Sequence, residues 1–250
     1  MDLKELQKNW DQFGRTDPLW AIRTSTGKEG NRWRLDEFFA TGQAEIQSAF
    51  EHIASLGIEV PRNNALDFGC GIGRLTQALA NRFDQTYGID IAPSMIEQAR
   101  RYNQHGDRCK YVLNETDHLG VFGDASFDFI CSLITLQHME PVYAKRYIGE
   151  FLRLLRPGGV LVFQLPSKRI GHRHRTLLKA AFPGMFGLYH RWRHGRAPIM
   201  EMYATARRDV VSFLESKHAA VLGVREILPS DDWLTLQYLV GASRSGRPTP

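Results

Sequence analysis

Ala65-Leu66-Asp67-Phe68-Gly69-Cys70-Gly71-Ile72-Gly73-Arg74 joins a short apolar run to an amphipathic stretch through three glycines at alternate positions. The run predicts a strand over 64–68, and Leu75, Leu79 and Phe83 give the following stretch one apolar helical face. Glycine accepts positive φ and has no Cβ, so such a turn brings bare backbone close to whatever lies over it. The helix that opens beyond it presents amides with no partner inside the helix. Working outward, further short apolar runs at 85–89, 109–113, 127–133 and 160–165 alternate with amphipathic segments, the pattern of βα units on a parallel sheet. Ser94 followed by Glu97 reads as a capping box opening one of these helices. Another helix spans about 142–155 and stops at Pro157-Gly158-Gly159. A helix over about 205–217 and two β-rich runs, 224–228 and 234–240, close the chain; the short Pro-Ser-Asp-Asp spacer between the runs favours an antiparallel pair.

Before the glycine turn, Leu3, Leu6, Trp10 and Phe13 recur at helical spacing, which predicts an opening helix that stops near Gly14 and serves as a lid or packing arm. A second helix is expected over 36–56, with Phe38, Phe39, Ile46, Phe50, Ile53 and Leu56 for its apolar face and Gly57 at its end. The 250 residues suit one domain, divided into an arm (1–58), a core (59–167), a basic insertion (168–203) and a C-terminal helix and hairpin (204–243). Cys70, Cys109 and Cys131 are neither even in number nor spaced as a C-x-x-C pair, so buried, reduced thiols are expected rather than disulfides or a zinc site. No apolar stretch approaches the length of a membrane span, and the N-terminal residues lack the basic start and apolar run of a secretory signal, which makes the cytoplasm the expected location. The net charge is +5, but residues 168–196 hold eight Lys or Arg and no Asp or Glu, leaving −3 on the rest of the chain.

Two carboxylates sharpen the reading of the glycine turn. Asp90 ends the second strand, where an acidic side chain can accept both hydroxyls of an adenosyl ribose. Asp67 stands two positions before the first glycine; its charge opposes a pyrophosphate and suits a ligand carrying an ammonium and a sulfonium. The spacing G-x-G-x-G also departs from the dinucleotide fingerprint G-x-G-x-x-G. Four segments, Asp67 to Gly73, Tyr87 to Ile91, Phe127 to Ser132 and Leu155 to Leu161, follow in the order of one known pattern. With them the chain resembles the class I S-adenosylmethionine-dependent methyltransferases. The resemblance implies a Rossmann-like, seven-stranded, mostly parallel α/β sheet with helices on both faces and an antiparallel final strand, and S-adenosyl-L-methionine as cofactor. It further implies that Gly69, Gly71 and Gly73 approach the methionine portion, that Asp90 holds the ribose, and that Ile91 and Met95 flank the adenine. Asn114 and Glu115 compete for the adenine amino group. Ligands collect at the carboxyl ends of strands in such sheets, which places Leu133 against the cofactor. Asp128 is expected to support the fold.

Methyl transfer from a sulfonium is an in-line displacement with a neutral leaving group, so positioning the nucleophile supplies much of the acceleration. An alcohol acceptor also needs a proton acceptor. His138, directly after the fourth strand, is the candidate base, with a helix-capping role as the competing reading and Glu140 and His118 as weaker candidates. No His/Asp/Glu cluster has ligand spacing, and no catalytic metal is expected. The arm, including Trp10, and the segment 168–203 should roof the acceptor pocket. The expected acceptor is a small molecule, lipid or glycan methylated on oxygen or nitrogen. A nucleic-acid acceptor is disfavoured because Ser132-Leu133-Ile134-Thr135 stands where an Asn/Asp-Pro-Pro-Tyr/Phe signature would lie. A noncatalytic S-adenosylmethionine-binding scaffold or sensor is the class-distinct alternative. In 168–196, Lys168, Arg169, Arg173, Arg175, Lys179, Arg191, Arg193 and Arg196 are interleaved with aromatics, which suits peripheral contact with an anionic membrane or a phosphorylated or acidic glycan, and after them single-stranded nucleic acid, with a solvated insertion helix packed by its aromatic side as the competing reading.

Overall fold

The computed structural model describes residues 1–170, 198–230 and 233–242. Seven strands form one sheet in the order β3-β2-β1-β4-β5-β7-β6. They are β1 (Asn64–Phe68), β2 (Gln85–Asp90), β3 (Cys109–Leu113), β4 (Phe127–Ser132), β5 (Leu155–Arg169), β6 (Ala220–Ser230) and β7 (Trp233–Gly241). β1 to β5 pair in parallel, and β7 runs antiparallel to both β5 and β6. The strand order reverses between β1 and β4, and a crevice opens there at the carboxyl ends of the strands.

Side chains alternate across the sheet as the pleat demands. Leu66, Ile130, Leu161 and Phe163 point to one face, where they meet α6 (Pro141–Leu154) through Ile148 and Phe151 and α7 (Arg207–Ser216) through Val210 and Leu214. Ala65, Phe129, Cys131 and Val162 point to the other, against α3 (Leu35–Ser55) through Ile46 and Ile53 and α4 (Arg74–Ala80) through Leu75 and Leu79. Burial on both faces explains why the central strand reads as a nearly unbroken apolar run. The one charge in that run, Asp128, is 2% exposed and spends its carboxylate on Arg156 (3.0 and 3.1 Å) and the Asn64 amide (2.8 Å), a brace between β4, β5 and β1.

Several expected boundaries move. β5 begins at Leu155 rather than 160: Phe127 pairs with Leu155 and Phe129 with Val160, so Pro157-Gly158-Gly159 loops out of the ladder, with Gly158 at φ 80°. α7 starts at Arg207 rather than 205. The expected capping box is absent from α5 (Pro93–Arg101), whose N-cap is Ala92 with Pro93 in the first turn; Ser94 instead turns to the arm, its amide meeting Asp11 Oδ1 at 2.8 Å and its hydroxyl donating to the Asp11 carbonyl at 2.9 Å. Gly14 does not stop the opening helix, α1 (Leu3–Thr16). It lies inside it, where a Cβ would stand 2.2 Å from Ser94 Oγ, so its role is to let α1 and α5 approach closely. A short helix, α2 (Pro18–Ile22), follows α1. Cys70, Cys109 and Cys131 are free and buried. No described helix is long and apolar enough to cross a membrane. Of the basic insertion, Lys168 and Arg169 belong to β5; Arg173, Arg175, Lys179, Arg191, Arg193 and Arg196 lie outside the described residues.

Candidate active site

At the crevice the chain encloses a cleft of about 710 Å³, part of it open to solvent. Its floor is the glycine turn. Gly69, Gly71 and Gly73 have φ of 75°, 52° and 86°, the left-handed region that glycine enters without penalty. A Cβ on Gly69 would lie 2.1 Å from Thr135, on Gly71 2.5 Å from Ile22 and on Gly73 2.4 Å from the Tyr111 hydroxyl. The glycines are thus required by neighbouring protein atoms as well as by any ligand. Gly69 and Gly71 line the cleft; Gly73 is turned away from it as the N-cap of α4. Behind the turn Arg74, 2% exposed, bonds Glu45 at 2.6 Å and Thr41 at 3.2 Å, tying α4 to α3.

Asp90 reaches the cleft from the end of β2. Its Oδ2 accepts from the Gly71 amide at 2.8 Å and its Oδ1 from the Ala92 amide at 2.9 Å, which fixes the carboxylate and leaves each oxygen a second lone pair for a ligand hydroxyl. Desolvation raises its pKa, opposed by those amides. Ile91 and Met95 also line the cleft. Asn114 lines it too, its amide bonded to the Asp90 carbonyl at 2.9 Å, whereas Glu115 is exposed and accepts from Gln7 of α1 at 2.6 Å. Of the two rivals, Asn114 is the one brought to the cleft. Asp67 is not on the wall. It is 1% exposed beneath the turn, accepts from Thr76 Oγ1 at 2.7 Å, and is pushed up to about 6 by burial.

Leu133, Ile134, Thr135, His138 and Met139 form the wall beyond β4. Ile134 has φ 61°, a left-handed conformation that a β-branched side chain resists. His138 sits in a 3₁₀ turn (Leu136–His138) and is 4% exposed. Its Nδ1 is 2.8 Å from the Glu201 carbonyl, which can only accept, so Nδ1 carries the proton and Nε2 the lone pair. Burial lowers its pKa to about 4, partly offset by the Glu201 carbonyl, and the ring is neutral at pH 7. The described part of the segment after the insertion is a strap across the strand ends: Ile199 N meets Asn9 Oδ1 at 3.2 Å, Tyr203 N the Gln137 carbonyl at 2.8 Å and Thr205 N the Pro166 carbonyl at 2.9 Å.

Among the described residues the roof comes from the arm. Leu3, Leu6 and Trp10 of α1 and Ile22 of α2 line the cleft, and Trp10 stands edge-on to His138 with centroids 5.1 Å apart. Thr135, Met139 and Tyr147 were not singled out from sequence. Tyr147 lies on the apolar stripe of α6 and donates to the Thr116 carbonyl at 2.5 Å, a polar role its spacing does not reveal.

Residues 66–163, from β1 to the middle of β5, match the methyltransferase domain family. Over that region the chain is similar to the class I S-adenosylmethionine-dependent methyltransferases. Among solved structures, the magnesium protoporphyrin IX methyltransferase of Synechocystis PCC 6803 with bound SAH shares the fold, with a TM-score of 0.67 at 18% identity over 97% of this chain and 100% of that one. A relative in sequence is the 2-methyl-6-phytyl-1,4-hydroquinone methyltransferase of Synechocystis sp., 27% identical over 78% of this chain. Another is the trans-aconitate 2-methyltransferase of Deinococcus radiodurans, 29% identical over 70% of this chain. The chain spans 60% and 66% of the lengths of these two methyltransferases.

Proposed function

We propose that this methyltransferase transfers a methyl group from S-adenosyl-L-methionine to the hydroxyl of a neutral, largely apolar small molecule. The observation that carries the reading is His138, held neutral on the cleft wall with its proton fixed on Nδ1. The cleft fits the cofactor: Asp90 offers two free lone pairs at the strand end, Gly69 and Gly71 present backbone without side chains, and Ile91, Met95 and Asn114 line the stretch an adenine would occupy. When bound, S-adenosylmethionine supplies an electrophilic methyl carbon and a neutral thioether leaving group. His138 then accepts the acceptor's proton at Nε2 while Nδ1 keeps its bond to Glu201. A base of such low pKa does not ionise a resting alcohol, but the attacking oxygen becomes strongly acidic as its bond to carbon forms, and a neutral imidazole suffices at that point.

The lining supports this acceptor class. Among the described residues Leu3, Trp10, Ile22, Leu133, Ile134 and Met139 give an apolar wall that includes no Lys or Arg. A hydroquinone, as in the name of one relative, is neutral and suits such a wall; a carboxylate such as trans-aconitate finds no counter-charge among these residues. Incubating the protein and labelled S-adenosylmethionine with metabolite extract, then identifying the labelled product by mass spectrometry, tests the class: an O-methyl product from a neutral hydroxyl is expected, and a methyl ester or methylamine would overturn it. His138→Ala should lower kcat by roughly 100- to 10,000-fold with unchanged cofactor affinity, and an unchanged kcat at saturating acceptor would remove His138 from the chemistry.

A further inference from the structure

Gln137, next to His138 in the 3₁₀ turn, has a side chain that the reaction as described leaves unused. It is 8% exposed, and its Nε2 lies 3.2 Å from His138 Nε2. Because His138 Nδ1 carries the proton, Nε2 is bare, and the amide of Gln137 is the donor in this contact. The one lone pair a hydroxyl acceptor needs is therefore already engaged.

We propose that the Gln137 amide caps the Nε2 lone pair of His138 and is displaced by the acceptor hydroxyl, so that the cleft admits productively only molecules able to donate a hydrogen bond at that atom. The proposal rests on the reading of His138 as proton acceptor. The backbone is built for a side-chain exchange: Tyr203 N holds the Gln137 carbonyl at 2.8 Å, His138 N holds the Thr135 carbonyl at 3.0 Å, and Glu201 holds the imidazole from its far side. With both main chains pinned, the torsions of Gln137 are what can move. The cap also solves a problem of the empty cleft, since a buried acceptor without a donor is costly. A neutral ether or ketone cannot repay the loss of the amide at Nε2, whereas a hydroxyl can.

The contact can be read without turnover. In protein labelled with ¹⁵N at histidine, the Nε2 resonance of His138 is followed while phenol, a minimal neutral hydroxyl, is added; anisole, its methyl ether, is the control of similar shape. Phenol should perturb Nε2 and anisole should not. Gln137→Met keeps the length and removes the donor, and should lower the phenol midpoint by roughly 2- to 12-fold, the range of one net neutral hydrogen bond. Equal midpoints in the two proteins, no phenol response at Nε2, or an equal response to anisole would each overturn the cap. Gln137→Glu is the second variant: a carboxylate facing Nε2 can only accept, so Nε2 should be found protonated at neutral pH, and a bare Nε2 would show that the two side chains do not meet. These resonances report on the cap, while kcat of His138→Ala reports on the base, so failure of one reading is distinct from failure of the other.

Discussion

Replacing Ile134 by Gly and, separately, by Ala should invert the usual order of stability. At an ordinary site Ala is the more stable of the two by about 0.4–1 kcal/mol, because Gly gives the unfolded chain more freedom. At φ 61° any Cβ crowds the following carbonyl, at a cost of roughly 1–2 kcal/mol that Gly escapes. Both variants lose the same half-buried side chain, so that term cancels in the comparison. At the centre of both ranges the difference leaves Gly the more stable by about 0.8 kcal/mol, a Tm gap of roughly 2–3 °C in a chain of this size. Paired thermal and urea unfolding of the cofactor-free protein measures it. An Ala variant equal to or more stable than the Gly variant would mean that position 134 is not held in the left-handed region and that the turn after β4 is differently shaped. If the order does invert, the strained residue sits on the cleft wall, where strain persists because surrounding contacts hold it.

Asp90→Ala removes the acceptor of the Gly71 and Ala92 amides and the two lone pairs left for a ribose. Calorimetry should show S-adenosylmethionine affinity weakened by at least 10-fold, given about 1.5–3 kcal/mol for a hydrogen bond to a charged group, and wild-type affinity would refute the ribose assignment. For Asp67 the sign runs against the common carboxylate case. Its folded pKa of about 6 is above the ordinary 3.8, so the folded state binds more protons between those values and stability falls as pH rises through that window. Asp67→Asn should therefore stabilise the cofactor-free protein at pH 7.5, by up to about 3 kcal/mol, with the gain fading as pH drops towards 4; a gain independent of pH, or a loss, would refute it.

Much of the half of the cleft proposed for the cofactor is built from local signals that are legible in the sequence. A strand end, a glycine turn and an acidic residue at the next strand end are fixed by the βα repeat itself, and β1 and β3 fall on the expected residues. Asn114 and Glu115 were not separable because adjacent side chains leave a strand end in opposite directions, and which one faces the cleft depends on the small shift of chain after β3. Asp67 reads as a ligand residue from its position before the glycines. Its direction is set by the pleat, which sends it with Ala65 towards α4 and into the reach of Thr76. The half proposed for the acceptor depends on partners far along the chain. Nothing near His138 in sequence announces that Glu201 will fix its tautomer, and nothing near Trp10 announces that it will stand against that ring.

The arm bears on the order in which the molecule is completed. Asp11 meets Ser94 across 83 positions, and Asn9 meets Ile199 across 190. During synthesis α1 leaves the ribosome well before either partner exists, and contacts of such separation close late because the intervening chain must be ordered first. The sheet can form while the crevice is still uncovered. In the finished protein the same asymmetry holds in reverse: the helix that supplies Leu3, Leu6 and Trp10 is no part of any strand ladder, so it can detach in a local unfolding event that leaves every sheet hydrogen bond in place. Ligand exchange can then proceed at the cost of one amphipathic helix rather than of the fold.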